Sequence, residues 1–500
     1  MKTQESATSA TVRRSIIYLM CAFIVSCGLP MFLYTTLIYR AELPADEVNS
    51  RLMDFRDAIS FEVPVYVDIP TADDESLLAC EKAAKSLIEH DYALKNTWKL
   101  LLKKAESHTI NPNEHYVVVL KSGDNDDFEV SSTSKLITLI SPRTDFSLMT
   151  YLLAGALVKG VFSEELGVME SIFYGIKDLD LVMPYSSTYN VVFNLFVENG
   201  KPVNWEIEKA LMKIQPVFDS LQHYSNFKIS TQVQYYSKLR TEPVFDELRN
   251  VNIIKKNDLS TFINFGDWNL NNNDIHPSIN FLIYFSESNY KKVPLEIEDS
   301  TTNSFLIPQW GGVQIFNKKM PILDGSVVTI SELELENVLA TFASQLFDLL
   351  GVPKTPKSPS IRIDSLHRVR TLKNLKTTLD NLASLIKLTD SLNEISIPES
   401  TKAHFMESVS LYDQALEAIK KSDFSSAIEY SSESLTSSNK AFFEKEMVQQ
   451  AYFPSEHKLA VFLPLLGPLC TITILGLIKS LKDKKSKQNE KKDVELKKDI

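Results

Sequence analysis

"SINFLIYFSES", Ser278–Ser288, decides how the chain is read. Apart from Asn280, residues Ile279–Phe285 are β-branched, aromatic or leucine, and a polar turn follows. That pattern predicts a strand buried on both faces. The stretch Asn303–Asn317, "NSFLIPQWGGVQIFN", continues the theme with two strand-like runs, Phe305–Ile307 and Val313–Phe316. Gly311 and Gly312 fall at their junction, in a chain with only 14 glycines. Glycine there permits positive φ or close backbone approach, which suits a bulge or a tight hairpin.

Outward from this point, strands alternate with helices. "VPVYVDI" (Val63–Ile69), "HYVVVLKS" (His115–Ser122), "KLITLIS" (Lys135–Ser141), "YNVVFNLFV" (Tyr189–Val197) and "FKISTQVQYY" (Phe227–Tyr236) read as strands. Asp74–His90 and Trp205–Gln222 carry apolar residues at helical spacing, the second with Pro216 as a kink. This alternation predicts a layered, mixed α/β domain. Beyond Ser331 the pattern turns helical. Ser331 and Glu334 make a capping box at the head of a helix that ends at Gly351. A proline-punctuated linker follows, and then Leu372, Leu375, Leu379, Leu382 and Ile386 mark one helix face. Two further helices, near Lys402–Lys421 and Phe424–Met447, complete a C-terminal helical bundle. The leucine face spans about two heptads and fits packing within the chain better than a coiled coil.

The 500 residues carry a formal charge of −11, with 44 % hydrophobic and 23 % charged residues, a globular composition. Ser15–Tyr39 and Leu459–Ile478 contain no charged residue, and each is long enough to cross a bilayer as a helix. The first is longer than the apolar core of a signal peptide and lacks a clear cleavage site, so it reads as an uncleaved anchor. The second, with Pro464 and Pro468 around Gly467, reads as a span rather than a kinked core helix. The tail from Lys479 has nine lysines against five acids, and the first fourteen residues carry +2. Both ends therefore read as cytosolic. Removing +4 and +2 from −11 leaves −17 for the intervening region, which disfavours nucleic acid or anionic lipid as the main partner. The expected organisation is residues 1–14 cytosolic, 15–39 first transmembrane helix, 40–350 lumenal α/β domain and 351–361 linker. Residues 362–450 form a lumenal helical segment, 459–478 the second transmembrane helix and 479–500 a lysine-rich cytosolic tail. Tyr452 and Phe453 would sit at the lumenal membrane interface, touching lipid or a neighbouring subunit. Lys497 and Lys498 in the terminal "KKDI" resemble the dilysine retrieval signal that coatomer reads on endoplasmic-reticulum (ER) proteins.

Catalytic chemistry finds little support. Cys80 is the only cysteine between the two spans, inside an amphipathic helix, so a nucleophilic role is disfavoured; it is either buried or bridged to another chain. The eight histidines form no His-Glu-x-x-His, and His108 and His115 flank a loop-like stretch. No nucleophile elbow or phosphate loop occurs. Acid pairs such as Asp73–Asp74 and Asp126–Asp127 read as turns and helix starts, and "GDWNLNNND" (Gly266–Asp274) as a polar turn rather than a calcium loop. No catalytic residue, metal ligand or cofactor is expected. Asn-x-Ser/Thr is absent between the spans.

Several blocks in order resemble the PIG-S family: Gly28–Pro44, "SINFLIYFSES", "IPQWGGVQIFN" and Ser437–Leu469. The last is the most specific; between Val63 and Asn257 the likeness is one of position. The resemblance implies a non-catalytic subunit of the glycosylphosphatidylinositol (GPI) transamidase of the ER membrane, two-pass, with both termini cytosolic and the large domain lumenal. Its implied partners are the other subunits, including a caspase-like catalytic chain, together with membrane lipid and the proprotein or GPI substrate. Trp310, Gly311 and Gly312 are then either a core tryptophan beside a sheet bend or a subunit contact. Rival readings are a membrane-anchored lumenal hydrolase and a chaperone or cargo receptor cycling between ER and Golgi.

Overall fold

The computed structural model describes residues 7–28, 39–105, 110–175, 183–240, 242–262, 275–289, 293–318, 327–392, 395–445 and 471–482, with isolated residues 30, 31, 34, 447, 464, 467, 468 and 485. Tyr452, Phe453, Lys497, Lys498, His108 and the stretch 266–274 lie outside the described residues. The chain divides into two compact units, one of residues 46–380 and 407–437, the other of 1–45, 381–406 and 438–500.

The larger unit is built on two five-stranded sheets. In the first, β1 (Phe61–Asp68), β2 (Trp98–Lys104), β3 (Tyr116–Ser122), β4 (Asp127–Val130) and β5 (Leu136–Ser141) lie in the order β2-β1-β3-β5-β4. All pairs are parallel except β4 with β5. The second contains β6 (Thr188–Val197), β8 (Asn226–Tyr235), β11 (Ser278–Phe285), β13 (Ser304–Ile307) and β14 (Gly311–Ile315), in the order β13-β14-β11-β6-β8. Again only the β13–β14 pair is antiparallel. Counted by appearance within each sheet, both run second, first, third, fifth, fourth, with the fourth strand reversed at one edge. One strand plan is therefore used twice along the chain. The second copy is interrupted by short strands: β7 (Val203–Trp205), β9 (Val244–Asp246), β10 (Val251–Ile254), β12 (Leu295–Ile297) and β15 (Val328–Ile330), which pair among themselves.

Helices follow the strands in both copies. After α1 (Ala7–Phe23) and α2 (Ala45–Ala58), α3 (Asp74–Asp91) joins β1 to β2. It starts at Asp73, whose carboxylate accepts from Ser76 N at 2.9 Å while Ser76 Oγ accepts from Asp73 N at 3.2 Å. A helical stretch, Thr150–Val161, and α4 (Ser163–Tyr174) follow the first sheet. In the second copy α5 (Ile207–Ser220) joins β6 to β8, and α6 (Glu332–Leu350) follows β14. The expected capping box of Ser331 and Glu334 is present, and α6 ends at Gly351 in the left-handed conformation. The C-terminal helices are α7 (Pro359–Ser391), α8 (Glu399–Lys420) and α9 (Phe424–Phe442).

The opening stretch explains why the second sheet is central. Along β11, Phe281, Ile283 and Phe285 pack with α5 and α6, whereas Leu282 and Tyr284 face a second cluster with Phe196, Val313 and Ile315. Both faces of the strand are covered, so its apolar run does not alternate with polar residues. Phe281 stacks between Phe193 and Phe342, at 5.5 and 4.9 Å between ring centroids. The leucine face of α7 is buried within the chain, and Asn374 Nδ2 donates to Ser432 Oγ at 3.1 Å. Ser408 and Ser434 exchange hydroxyl-to-carbonyl bonds of 2.8 and 2.7 Å, which lets α8 and α9 approach closely without orphaned donors.

In the smaller unit, Arg40 and Ile397 form a parallel bridge, and the Arg40 guanidinium donates to the Thr389 and Leu392 carbonyls at 2.6 and 3.1 Å. Residues 471–482 are helical, and a Cβ at Gly476 would lie 3.1 Å from Ile17 of α1. Among the described residues, one helical stretch is long and apolar enough to cross a membrane, Thr11–Gly28, which takes in most of α1 and the π-helical turn Ile24–Gly28 after it. Helix α1 begins at Ala7, ahead of the charge-free run at Ser15, and includes Arg13 and Arg14.

The glycine pair is resolved as a tight hairpin. β13 and β14 pair Ile307 with Gly311 and Leu306 with Gly312, so both glycines lie inside β14 rather than ahead of it. Glycine is poor in strands, and the register against β11 overrides that preference. A Cβ on Gly311 would lie 1.8 Å from the Asn280 carbonyl oxygen, and one on Gly312 would lie 1.9 Å from Gln345 Oε1. Gly311→Ala is expected to destabilise the protein by about 3 kcal/mol, because backbone must move. Gly312→Ala should cost less, because a side-chain amide can swing away. Thermal unfolding of the purified chain checks the order, which fails if Gly312→Ala is the worse of the two.

Candidate functional site

Cys80 lies on the buried face of α3, and burial raises the pKa of its thiol to about 12. A thiol so far from ionisation is a poor nucleophile. His90 lies exposed beside Asp91 at 2.7 Å, and His223 bonds to Glu429 at 2.6 Å while its ring meets that of His367 at 6.4 Å between centroids. Among the described residues no three His, Cys, Asp or Glu side chains gather as a metal site.

Trp310 sits at the β13–β14 turn. Its N–H donates to the Ile307 carbonyl at 3.2 Å and its carbonyl accepts from Asn280 N at 2.9 Å. The indole is half-buried against the cluster containing Phe196 and Val313. Gly311 and Gly312 are buried beneath it. The structure thus brings these three residues together as a sheet element, with the tryptophan half-exposed.

The strongest electrostatic feature escaped the sequence reading. Glu165 on α4 is buried, and so is Arg368 on α7. Arg368 Nε and Nη2 donate to the two Glu165 oxygens, each at 2.6 Å. Trp98 Nε1 donates to Oε1 at 2.9 Å, and Ser365 Oγ donates to Oε2 at 2.6 Å. The Arg368 guanidinium also lies over Phe424 at 5.2 Å and donates to Tyr116 Oη at 3.3 Å. Burial works against the arginine charge, and the Glu165 carboxylate overcomes it, holding Arg368 protonated well above its usual range. Nearby His367 is buried with Nε2 unbonded. Burial lowers it to about 4; Asp364 opposes that, while His223, Arg368 and Lys135 add to it.

Two recesses flank these elements. An open groove of about 650 Å³ runs along β2 and α3 between Leu78, Leu102, Lys103 and Lys104, where Glu81 Oε1 accepts from Leu102 N at 2.7 Å. A smaller cavity of about 300 Å³ lies between α4, the end of α6 and α7, bordered by Arg370, Lys373, Lys376 and Asp380. Lys376 Nζ donates to the Ile172 carbonyl at 2.7 Å.

Fold and side chains together describe an α/β protein with a duplicated strand plan, a helical C-terminal region and an apolar N-terminal helix, held by a buried polar junction. The chain belongs to the PIG-S family: the family described as "Phosphatidylinositol-glycan biosynthesis class S protein" matches residues 19–487. It is 28 % identical to the GPI transamidase component GPI17 of Saccharomyces cerevisiae over 96 % of this chain and 95 % of that one. It is 26 % identical to the GPI-anchor transamidase component PIGS of Rattus norvegicus, over 92 % and 93 % of the two chains. With the Bos taurus protein of the same name the identity is 27 %, over 94 % and 95 %.

Two expectations follow from the junction. Glu165→Gln leaves a buried, uncompensated guanidinium and should destabilise by about 3–5 kcal/mol, whereas Glu165→Leu with Arg368→Met should recover much of the loss. Equal loss in the single and double variants, measured by thermal unfolding, would refute this account. For His367 the folded-state pKa lies below the ordinary 6.5, so the unfolded chain binds the extra proton. Its neutral burial is therefore fully stabilising above about pH 6.5 and is lost as pH falls towards 4. At pH 5 the loss is about 2 kcal/mol. His367→Gln should flatten the fall in unfolding midpoint between pH 7.5 and 5 in parallel melts.

Proposed function

We propose that this chain is a subunit of GPI transamidase, the complex that attaches GPI anchors to proprotein C-termini in the ER lumen, and that it contributes no catalytic group. The observation that carries this reading is the end-to-end match to the PIG-S family, from residue 19 to residue 487. A buried, un-ionised Cys80 supports assigning the nucleophile to another chain, the caspase-like subunit that the family resemblance implies. The role left to this chain is positional. By holding the catalytic subunit and the substrate at fixed orientation, a scaffold raises the rate without touching the reacting atoms.

The chain crosses the ER membrane twice, at 15–39 and 459–478, with both termini cytosolic. The helical residues 471–482 and the approach of Gly476 to Ile17 support a pair of terminal helices. Tyr452 and Phe453 meet the lumenal lipid interface, and Lys497 and Lys498 present a retrieval signal to coatomer. The half-exposure of Trp310 supports reading the β13–β14 hairpin as a subunit contact, with Gly311 and Gly312 fixing its position.

Affinity isolation of the tagged chain from detergent extracts should recover a multi-subunit transamidase, and depletion should cause unprocessed GPI-anchor precursors to accumulate. Recovery of the chain alone under conditions that preserve other membrane complexes, or normal processing after depletion, would sink the reading.

A further inference from the structure

Helix α7 carries two buried arginines two residues apart, and only one of them has an anion. Arg368 has Glu165. Arg370 is 7 % exposed, and no hydrogen bond holds its guanidinium among the described residues; its Nε is buried without an acceptor. Its company is aromatic, with the guanidinium carbon 4.4 Å from the Tyr185 ring centroid and 5.8 Å from that of Tyr224. Ring faces attract a cation but take up none of its five directed N–H donors. A buried guanidinium without an acceptor is costly enough that its presence points to a missing partner.

The space for that partner adjoins it. Arg370 borders the cavity of about 300 Å³ together with Lys373, Lys376 and Asp380. Among the described residues this wall is basic, with three cations against one carboxylate, although Lys373 and Lys376 already have partners within the chain. The helix spacing explains the grouping, since positions 370, 373, 376 or 377 and 380 recur on one face. The volume lies at the small end of ligand sites and exceeds what one oxyanion needs. A phosphate group suits a basic wall, and the flat arginine fork matches two phosphate oxygens. Asp380 offers a carboxylate to a cationic group on the same ligand.

We propose that this cavity binds the phosphate of a small phosphorylated compound or lipid headgroup, with Arg370 as the principal contact. The site is a property of this chain and stands apart from its membership of a complex. It is tested on the full chain in detergent, isolated with whatever subunits accompany it, by titration with phosphoethanolamine at constant ionic strength. Inorganic phosphate, ethanolamine and matched sodium chloride are run beside it. Saturable binding of phosphoethanolamine is expected, weakened roughly tenfold or more by Arg370→Gln, which removes charge-assisted hydrogen bonds. Lys85→Gln, on the exposed face of α3, should bind as the unaltered chain does. Competition by phosphatidylcholine vesicles containing phosphatidylethanolamine, but not by phosphatidylcholine alone, would support the site and assign a lipid headgroup. Lack of competition, with soluble binding intact, would support it and assign a soluble compound. No saturable binding to the unaltered chain, equal binding by Arg370→Gln, or equal response to sodium chloride would each overturn the proposal. If Arg370→Gln does not accumulate, Arg370→Lys keeps the charge but loses the fork, and undiminished affinity in that variant would overturn Arg370 as the principal contact.

Discussion

The buried pair of Glu165 and Arg368 is the constraint on which the larger unit turns. Burying either charge alone would cost several kcal/mol, so each is tolerable only in the presence of the other and of Trp98, Ser365 and Tyr116. These groups come from β2, α4, α7 and β3, separated by up to 270 positions in the chain. Their joint satisfaction admits one arrangement of the first sheet against α7. An apolar junction of the same volume would tolerate sliding, whereas a bidentate pair at 2.6 Å tolerates little.

The repeated strand plan gives the second constraint. In each sheet the first strand is flanked by the second and third, and a reversed fourth strand closes one edge beside the fifth. The plan survives although the two stretches differ in polarity. β1 buries one face in strict alternation, while β6 and β11 are buried on both sides. The extra short strands of the second copy are what allow this. Ile254, Leu295 and Ile297, from β10 and β12, join the cluster that covers Leu282, Tyr284 and Val313. Insertions thus made the second sheet the deeper core, and Gly311 and Gly312 let β14 pass close to β11 and α6 inside it.

Much of this was legible in the sequence where periodicity and burial agree. β1, β6, β11, α3 and α6 follow their patterns closely, because β-branched runs and capping residues act locally. "WKLLLKK" at β2 was not read as a strand: it has no β-branched residue, and pairing with β1 imposes its conformation. Glu165 looks like an ordinary first-turn acid, and "HRVRTLK" on α7 looks like a solvated basic face. What buries them is contact with Trp98, Tyr116, Tyr185 and Tyr224, from segments 67 to 252 positions away, which local spacing cannot express. The Trp-Gly-Gly motif does lie at a tight hairpin, one of the two features its glycines suit, but both glycines sit inside β14 rather than at the strand junction, and the reason for them lies in Asn280 and Gln345.

The two arginines of α7 show how one helix can combine rigidity with recognition. Positions two apart on an α-helix point about 200° away from each other, so Arg368 and Arg370 serve opposite flanks. One guanidinium gives its Nε and Nη2 to an internal carboxylate, with Nη1 left unbonded, and fixes the helix. The other, braced by tyrosine rings, keeps its donors unspent beside a cavity. A locked junction keeps the cavity wall in place, and only a wall in place can present a fork of donors at fixed geometry. Because both side chains project from one continuous helical turn, loosening the pair at Arg368 would also disturb the geometry at Arg370, although neither side chain touches the other's anion.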